Sequence, residues 1–244
     1  MPAPVLLVHG AWGGAWAWGY VQAELEKLGV ESTAIQLPSA GTAAGTMADD
    51  AAAIRDALDR LRAPAVLVAH SYSGVPVTEA SAGHRGVKEL VYVCAVLPQE
   101  GQSTSGLMAE DPSPSELGTA IRTTGDGLST LDPGGAKAIL FNDVSDEQAA
   151  PIIAALGTHR LSVFREAPTA LGWREHPSTY VLTARDLVFS PELQRRMAAH
   201  ATRTAEVDAG HIPLLSRPAE LAQAIAEAAL RPEAGGAIGD VRTG

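Results

Sequence analysis

The chain has 244 residues, of which 46% are hydrophobic and 19% are charged, and such fractions are typical of a globular protein rather than a disordered one. Its formal net charge of −10 argues against nucleic acids and anionic membrane surfaces as main partners. No apolar run approaches the ~20 residues that span a bilayer, and the N-terminus lacks the basic region of a signal peptide. We therefore expect a soluble, cytoplasmic protein that binds neither nucleic acid nor membranes.

Short apolar runs alternate with helical patterns along much of the chain. In chain order, the pattern predicts strand 5–8, helix 16–28, strand 32–37, a helix from Thr46 to about residue 61, strand 65–69, strand 90–95, strand 179–183, strand 204–207 and helix 218–230. The strands lack polar alternation, which is typical of a parallel sheet covered by helices on both faces. The predicted fold class is therefore α/β with an open, doubly wound sheet, in which ligands bind beyond the carboxyl ends of the strands.

Residues 98–177 interrupt this alternation and are rich in Pro, Gly and Ser. Ser145 followed by Gln148 is a capping-box signature that predicts a short helix over 145–156. An insertion of this length is typically structured, so we predict a small helical lid over the site. The predicted organisation is an α/β core formed by 1–97 and 178–231, a lid formed by 98–177, and a flexible Gly-rich tail over 232–244.

Polar residues follow four of the predicted strands. The first strand ends in the glycine-rich loop HGAWGG, and the strand over 65–69 leads into AHSYSG around Ser71. The two late strands lead to Asp186 and to His211. AHSYSG resembles the nucleophile motif G-x-S-x-G with Ala69 and Ser73 in place of its glycines, and both residues are small. The order Ser, Asp, His along the chain is that of a serine hydrolase triad.

The motifs LLVHGAWGGAW, AHSYSG, YVLTARDLVFSPELQRRM and AGHIPLLSRPAEL resemble those of the α/β-hydrolase fold superfamily. The resemblance is to the esterase branch that includes plant methyl-ester hydrolases and hydroxynitrile lyases. It covers most of the chain outside the lid, which is similar only around ILFNDVSDEQAA and SVFREAP.

This resemblance implies a role for each polar residue. Ser71 is the expected nucleophile, which needs a base within hydrogen-bond reach. His211 is the expected base and later the acid for the leaving group. Asp186 is the expected partner that orients His211, with Asp208 and Glu100 as alternative carboxylates.

The backbone N–H groups of Ala11 and Tyr72 are the expected oxyanion hole. The side chains of Trp12 and Tyr72 are candidates for lining the substrate pocket, although they fit equally well as core residues. No G-x-G-x-x-G motif follows the first strand and no H-E-x-x-H motif occurs, so we expect neither a cofactor nor a metal. The oligomeric state is not predicted.

Two positions favour hydrolysis over lyase chemistry. The hydroxynitrile lyases of this branch carry lysine directly after the catalytic histidine, where this chain has Ile212, and a threonine-containing segment where this chain has His9-Gly10-Ala11. The sequence therefore predicts a serine carboxylesterase that cleaves a small or medium ester through an acyl-enzyme intermediate. The alternatives are a lyase or cyclase that uses the same triad, and a ligand-binding protein on a hydrolase scaffold.

Overall fold

The structure, a computed structural model, describes residues 1–41 and 45–232. Nearly all of the predicted tail, 233–244, lies outside the described residues. The strands, in chain order, are β1 (Val5–Val8), β2 (Ser32–Ile35), β3 (Ala65–His70), β4 (Val87–Val93), β5 (Ile121–Thr123), β6 (Leu128–Leu131), β7 (His159–Arg160), β8 (Ser178–Thr183) and β9 (Arg203–Val207). The α-helices are α1 (Gly19–Lys27), α2 (Met47–Asp59), α3 (Gly74–Ser81), α4 (Thr104–Ala109), α5 (Leu117–Ala120), α6 (Pro133–Ile139), α7 (Asp146–Ala155), α8 (Pro191–Ala198), α9 (Pro213–Ser216) and α10 (Pro218–Leu230).

A six-stranded parallel sheet forms the centre of the fold. Its strand order is β2-β1-β3-β4-β8-β9, and every neighbouring pair is parallel. The predicted α/β class with a doubly wound parallel sheet is therefore confirmed. Because all the strands point the same way, the loops that follow β1, β3, β8 and β9 emerge at one edge of the sheet.

Strands β1 and β3 are buried on both faces along their whole length, and this is why their sequences are almost continuously apolar. Successive side chains of a strand point to opposite faces, so Leu67 and Ala69 join one hydrophobic layer while Val66 and Val68 join the other. Helices α2, α3 and α8 supply the first layer, and α1 and α10 supply the second. The sheet is thereby held rigidly between two apolar layers, and its carboxyl edge is a fixed platform for the site.

Neighbouring residues in the chain cap the first two α-helices. Thr46 Oγ1 accepts a hydrogen bond from Asp49 N and Asp49 Oδ2 accepts one from Thr46 N, which completes a capping box before α2. Gly29 follows α1 with φ +71°, as expected of a C-terminal glycine. The start of the helix predicted over 16–28 was wrong, because Ala15–Trp18 is a 3-10 turn and α1 begins at Gly19.

The segment predicted as a helical lid, 98–177, contains α4, α5, α6 and α7 and also an antiparallel sheet of β5, β6 and β7. These strands were not predicted, since each has at most four residues and shows no clear alternation. Ser145 Oγ does accept a hydrogen bond from Gln148 N at the start of α7. The segment is tied to the core by backbone bonds, such as that from Gly157 N to Trp12 O, 2.8 Å.

In the part of the chain that the structure describes, no helix is both long enough and apolar enough to cross a bilayer.

Candidate active site

Ser71 lies on a sharp turn between β3 and α3. It is the first residue after the strand, and its φ of +56° is in the left-handed region that residues other than glycine rarely adopt. Strained backbone of this kind costs about 1–3 kcal/mol and persists only where the surrounding structure holds it. The side chain is 8% exposed, so the strand-to-helix turn presents the hydroxyl at the carboxyl edge of an otherwise buried strand.

Ser73 fastens this turn to the sheet. Its Oγ accepts a hydrogen bond from His70 N, 2.9 Å. The hydroxyl donates to one of two carbonyl oxygens, Val8 O on β1 at 3.0 Å or His70 O at 2.9 Å. The hydroxyl thus makes contacts that a glycine at this position would lack.

Three side chains from separate loops meet beside this turn. Ser71 Oγ lies 2.8 Å from His211 Nε2, and His211 Nδ1 lies 2.9 Å from Asp186 Oδ2. Asp186 follows β8 and His211 follows β9, so the parallel sheet brings together groups that are 140 residues apart in the chain. With Nδ1–H donating to the carboxylate, Nε2 is left to accept the Ser71 hydroxyl proton.

Asp186 is buried among donors. Its Oδ1 accepts hydrogen bonds from Val188 N, 2.7 Å, and Phe189 N, 3.2 Å. Its Oδ2 accepts from Thr183 Oγ1, 2.9 Å, and Gln194 Nε2, 3.1 Å, in addition to His211. These bonds fix the position of the carboxylate, which suits a group that orients an imidazole.

The alternative carboxylates lie elsewhere. Asp208 is 71% exposed at its side chain and pairs with Arg185 Nε at 2.8 Å. Glu100 is exposed. Of the three carboxylates considered from the sequence, the structure places only Asp186 in hydrogen-bond contact with His211.

His70 supports the loop that carries His211. Its Nε2–H donates to His211 O, 2.8 Å, and its ring lies 5.2 Å from the His211 ring. Burial lowers the pKa of His70 to about 3, so the ring is neutral and keeps the donor on Nε2. Cys94 Sγ, 3.4 Å away, donates to the same carbonyl oxygen, and burial raises its pKa, so it stays a thiol.

The glycine-rich loop after β1 packs directly against Ser71. A Cβ added to Gly10 would lie 2.7 Å from His70 Nδ1 and 3.0 Å from Ser71 Cβ, so only glycine allows this approach. Ala11, the next residue, lines the same cavity as Ser71. Tyr72 lies in the first turn of the 3-10 segment Ser71–Ser73, where backbone N–H groups have no partner within the helix. Both predicted oxyanion donors therefore lie on backbone that adjoins Ser71.

The Tyr72 side chain is anchored by a buried carboxylate that sequence reasoning missed. Its hydroxyl donates to Asp50 Oδ2, 2.8 Å, and Asp50 also accepts bonds from Ser39 N and Ser39 Oγ at 2.9 and 2.6 Å. Burial raises the pKa of Asp50 and that of Tyr72. A signal for Asp50 was present, since it lies three residues after Met47 and four before Ile54 on the apolar face of α2. Gln194, which was also missed, shows the same signal, since it lies three residues before Met197 on the apolar face of α8.

A cavity of about 530 Å³ opens above Ser71, between the core and the segment 98–177. Its walls are mostly apolar, and they include Ala11, Trp12, Tyr72, Met108, Leu117, Ile121, Leu161, Phe164, Val188 and Phe189. Trp12 and Tyr72 line this cavity and are almost wholly buried. Each is therefore both a pocket residue and a core residue, the two interpretations that the sequence left open. Phe164 packs on them, with ring centroids 5.4 Å from Trp12 and 5.5 Å from Tyr72.

One group of side chains among the described residues has the spacing of metal ligands. Nitrogen and sulfur atoms of His70, Cys94 and His211 lie within 4.8 Å of one another. Both ring nitrogens of His211 already bond Ser71 and Asp186, so a metal ion here would have to displace the hydrogen bonds that join the three residues.

Comparison with known proteins places the chain in one family. The model of the alpha/beta hydrolase family matches residues 5–224. The chain is 30% identical over 242 residues to alpha/beta hydrolase nvfD of Aspergillus novofumigatus, covering 92% of this chain and 96% of that protein. It is 23% identical to putative methylesterase 14, chloroplastic, of Arabidopsis thaliana, covering 93% of this chain and 72% of that protein. The predicted resemblance to plant methyl-ester hydrolases is thus confirmed.

A solved structure shows the same fold. The pyrethroid hydrolase from Sphingobium faniae JZ-2 superposes with a TM-score of 0.82 at 23% identity, covering 94% of this chain and 98% of that protein. The match to the family model and the 30% identity to nvfD show that the chain belongs to the alpha/beta hydrolase family.

Proposed function

We propose that this protein is a serine carboxylesterase that cleaves a small or medium ester through an acyl-enzyme intermediate. The observation that carries the proposal is the continuous chain of contacts from Ser71 Oγ to His211 Nε2, 2.8 Å, and from His211 Nδ1 to Asp186 Oδ2, 2.9 Å, at the floor of a cavity. In the proposed roles, Ser71 is the nucleophile, His211 the base and Asp186 the orienting carboxylate.

In the proposed reaction, Ser71 Oγ attacks the ester carbonyl carbon while His211 Nε2 takes the hydroxyl proton. The negative charge that develops on the carbonyl oxygen is bound by the backbone N–H groups of Ala11 and Tyr72. The intermediate collapses, the C–O bond breaks, and His211 gives the proton to the departing alcohol. Water, deprotonated by His211, then releases the acid and restores Ser71.

Two further observations favour ester hydrolysis. The cavity of about 530 Å³ has the size of a small-molecule site, and its apolar walls suit an acyl or alcohol group. The residue after His211 is Ile212, which packs into the apolar core, so no cation stands there to stabilise a leaving anion. Among the relatives are proteins named methylesterase and pyrethroid hydrolase.

The test is a panel of p-nitrophenyl esters of increasing acyl length, turned over by the native protein, by Ser71→Ala and by Ser32→Ala. We expect Ser71→Ala to lose turnover by about 10⁶-fold, as nucleophile removal does in other serine hydrolases. Ser32 lies at the amino end of β2 and is a matched control that should keep full activity. Undiminished turnover in Ser71→Ala would reject the proposal.

A labelling experiment separates the acyl-enzyme route from chemistry in which His211 acts as a simple base, as in a lyase or cyclase. A fluorophosphonate should add to Ser71, with a mass increase that is absent in Ser71→Ala. Failure to label a folded protein would favour a lyase, a cyclase or a binding protein instead.

A further inference from the structure

The charged residues that line the active-site cavity are both basic. Two of its lining residues are charged, Arg160 and Arg165, and none of the lining residues within the described ranges is acidic. This is the reverse of the whole chain, which has a formal net charge of −10. Two basic side chains that line a mostly apolar cavity favour an anionic ligand.

The two arginines differ in whether their guanidinium groups interact with other residues of the protein. Arg160 is half-buried, and its Nε donates to Ser162 Oγ, 3.2 Å. The pKa of Asp49 is lowered chiefly by hydrogen bonds from Thr46 and further by the charge of Arg160. The positive charge of Arg160 is therefore partly balanced by the Asp49 carboxylate. Arg165 is exposed and makes no hydrogen bond or ion pair with any described residue.

The nearest acidic side chain in sequence does not neutralise Arg165. Glu166 Oε2 accepts a hydrogen bond from Met47 N, 2.9 Å, and its Oε1 accepts one from Ser162 Oγ, 3.2 Å. Both oxygens are therefore directed to α2 and to the neighbouring turn. Phe164, between the two arginines in sequence, lines the cavity with Trp12.

We infer that the ester substrate carries a second, unesterified carboxylate at the far end of an apolar spacer, and that Arg165 binds this group at the mouth of the cavity with Arg160 beside it. This inference rests on the proposed function, because it assigns the substrate class of the same site. The reaction is hydrolysis of a half-ester of a dicarboxylic acid, in which water and the half-ester give the free diacid and an alcohol.

The chemistry of the lining supports a carboxylate at this point. A guanidinium offers paired N–H donors that match a carboxylate, and such charge-assisted bonds are stronger than neutral ones. The apolar walls can take up a methylene or aromatic spacer between the two ends of the substrate. Because Arg165 holds a group that does not react, its loss should raise KM and leave kcat nearly unchanged.

The experiment compares two series of methyl esters of increasing length. One series consists of monomethyl esters of dicarboxylic acids from malonate to suberate, and the other of methyl esters of monocarboxylic acids of equal length. We expect the native protein to have a KM about tenfold lower for the best half-ester than for its neutral counterpart. High salt should raise KM for the half-esters only, because the guanidinium is exposed and screened.

Three variants assign the effect to a residue. Arg165→Ala should remove the preference, Arg165→Lys should retain part of it, and Arg85→Ala should leave it intact. Arg85 is a matched control, because it is also exposed but lies before β4, near the amino end of the sheet. If the preference for half-esters depended only on the net charge of the protein, Arg85→Ala and Arg165→Ala would reduce it equally.

Two results would overturn the inference. One is an equal KM for half-esters and neutral esters in the native protein, and the other is a preference that survives in Arg165→Ala. Either leaves the proposed esterase intact if neutral esters are still cleaved in a Ser71-dependent way. Loss of the proposed function would appear separately, as ester turnover that persists in Ser71→Ala.

Discussion

At the scale of single residues, Asp186 and Asp208 form a natural comparison. Asp208 lies much closer to His211 in the chain, yet it pairs with Arg185 at the surface. Asp186, 25 residues from His211, is buried and accepts five hydrogen bonds. The environment, rather than the residue type, makes Asp186 suitable for orienting an imidazole. An amide in its place would bring an NH₂ group or a weaker acceptor to the donor His211 Nδ1–H.

We predict that Asp186→Asn lowers kcat by about 10⁴-fold, as the same change does in another serine hydrolase, because the histidine is left in the wrong tautomer. Asp208→Asn is the matched control, since it makes the same chemical change at an exposed ion pair worth about 0–1 kcal/mol. Steady-state kinetics of both variants on one p-nitrophenyl ester give the result. If Asp208→Asn were the inactive variant, the assignment of the carboxylate would have to be reversed.

At the scale of elements, the turn between β3 and α3 depends on close packing against Val96, which follows β4. A Cβ on Gly74 would lie 1.9 Å from Val96 O, so the first residue of α3 must be glycine. Val96 N also donates to Ser71 O, 3.0 Å. A shift of Val96 is therefore transmitted directly to the strained backbone of Ser71.

We predict that Gly74→Ala destabilises the fold by about 1–3 kcal/mol, through overpacking, and lowers kcat as well. Gly19→Ala is the control, because Gly19 is likewise the first residue of a helix but a Cβ there meets no atom within 4 Å. Gly19→Ala should be neutral or stabilising by up to about 1 kcal/mol. Urea unfolding and ester turnover of the two variants test this prediction. Equal changes in stability and kcat in the two variants would show that Val96 can move away from the added Cβ without loss of stability.

At the scale of the whole molecule, burial keeps three histidines neutral. It lowers the pKa of His9 to about 4 and that of His70 and His159 to about 3. Below pH 6.5 the unfolded chain binds protons at these positions that the folded protein does not, so the free energy of unfolding falls as the pH falls towards 4. Asp50 acts in the opposite direction, because burial raises its pKa above that of an unfolded aspartate.

We predict that His159→Leu reduces the dependence of the unfolding free energy on pH by up to about 1.4 kcal/mol for each pH unit between 6 and 4. Neither ring nitrogen of His159 has a hydrogen-bond partner in the described residues, so the substitution removes no such bond. The contribution of Asp50 is common to both proteins and cancels in the difference. Urea unfolding at several pH values measures the pH dependence of the unfolding free energy for the native protein and for His159→Leu. An equal pH dependence in the two proteins would show that His159 is protonated in the folded state.

Much of the fold and of the candidate site could be predicted from the sequence because the signals are local. Continuous apolar strands separated by amphipathic helices indicate a buried parallel sheet, and the structure has that sheet. The capping box of Thr46 and the left-handed conformation of Gly29 after α1 are likewise decided by a few neighbouring residues. The order of Ser71, Asp186 and His211 at strand ends predicts that they meet at one edge, since parallel strands share their carboxyl ends.

Tertiary structure alone decided the rest, because those features depend on contacts between distant segments. The strands of 98–177 are too short to leave a periodic pattern, and their pairing requires chain closure over the core. The bonds of Gln194 and Asp50 join residues from different elements to the site, and no local rule predicts such partners. The sequence by itself thus determined the class of the fold and which residues are candidates for the chemistry. Three-dimensional packing decided which carboxylate contacts His211, what supports the Ser71 turn, and which charged residues line the cavity.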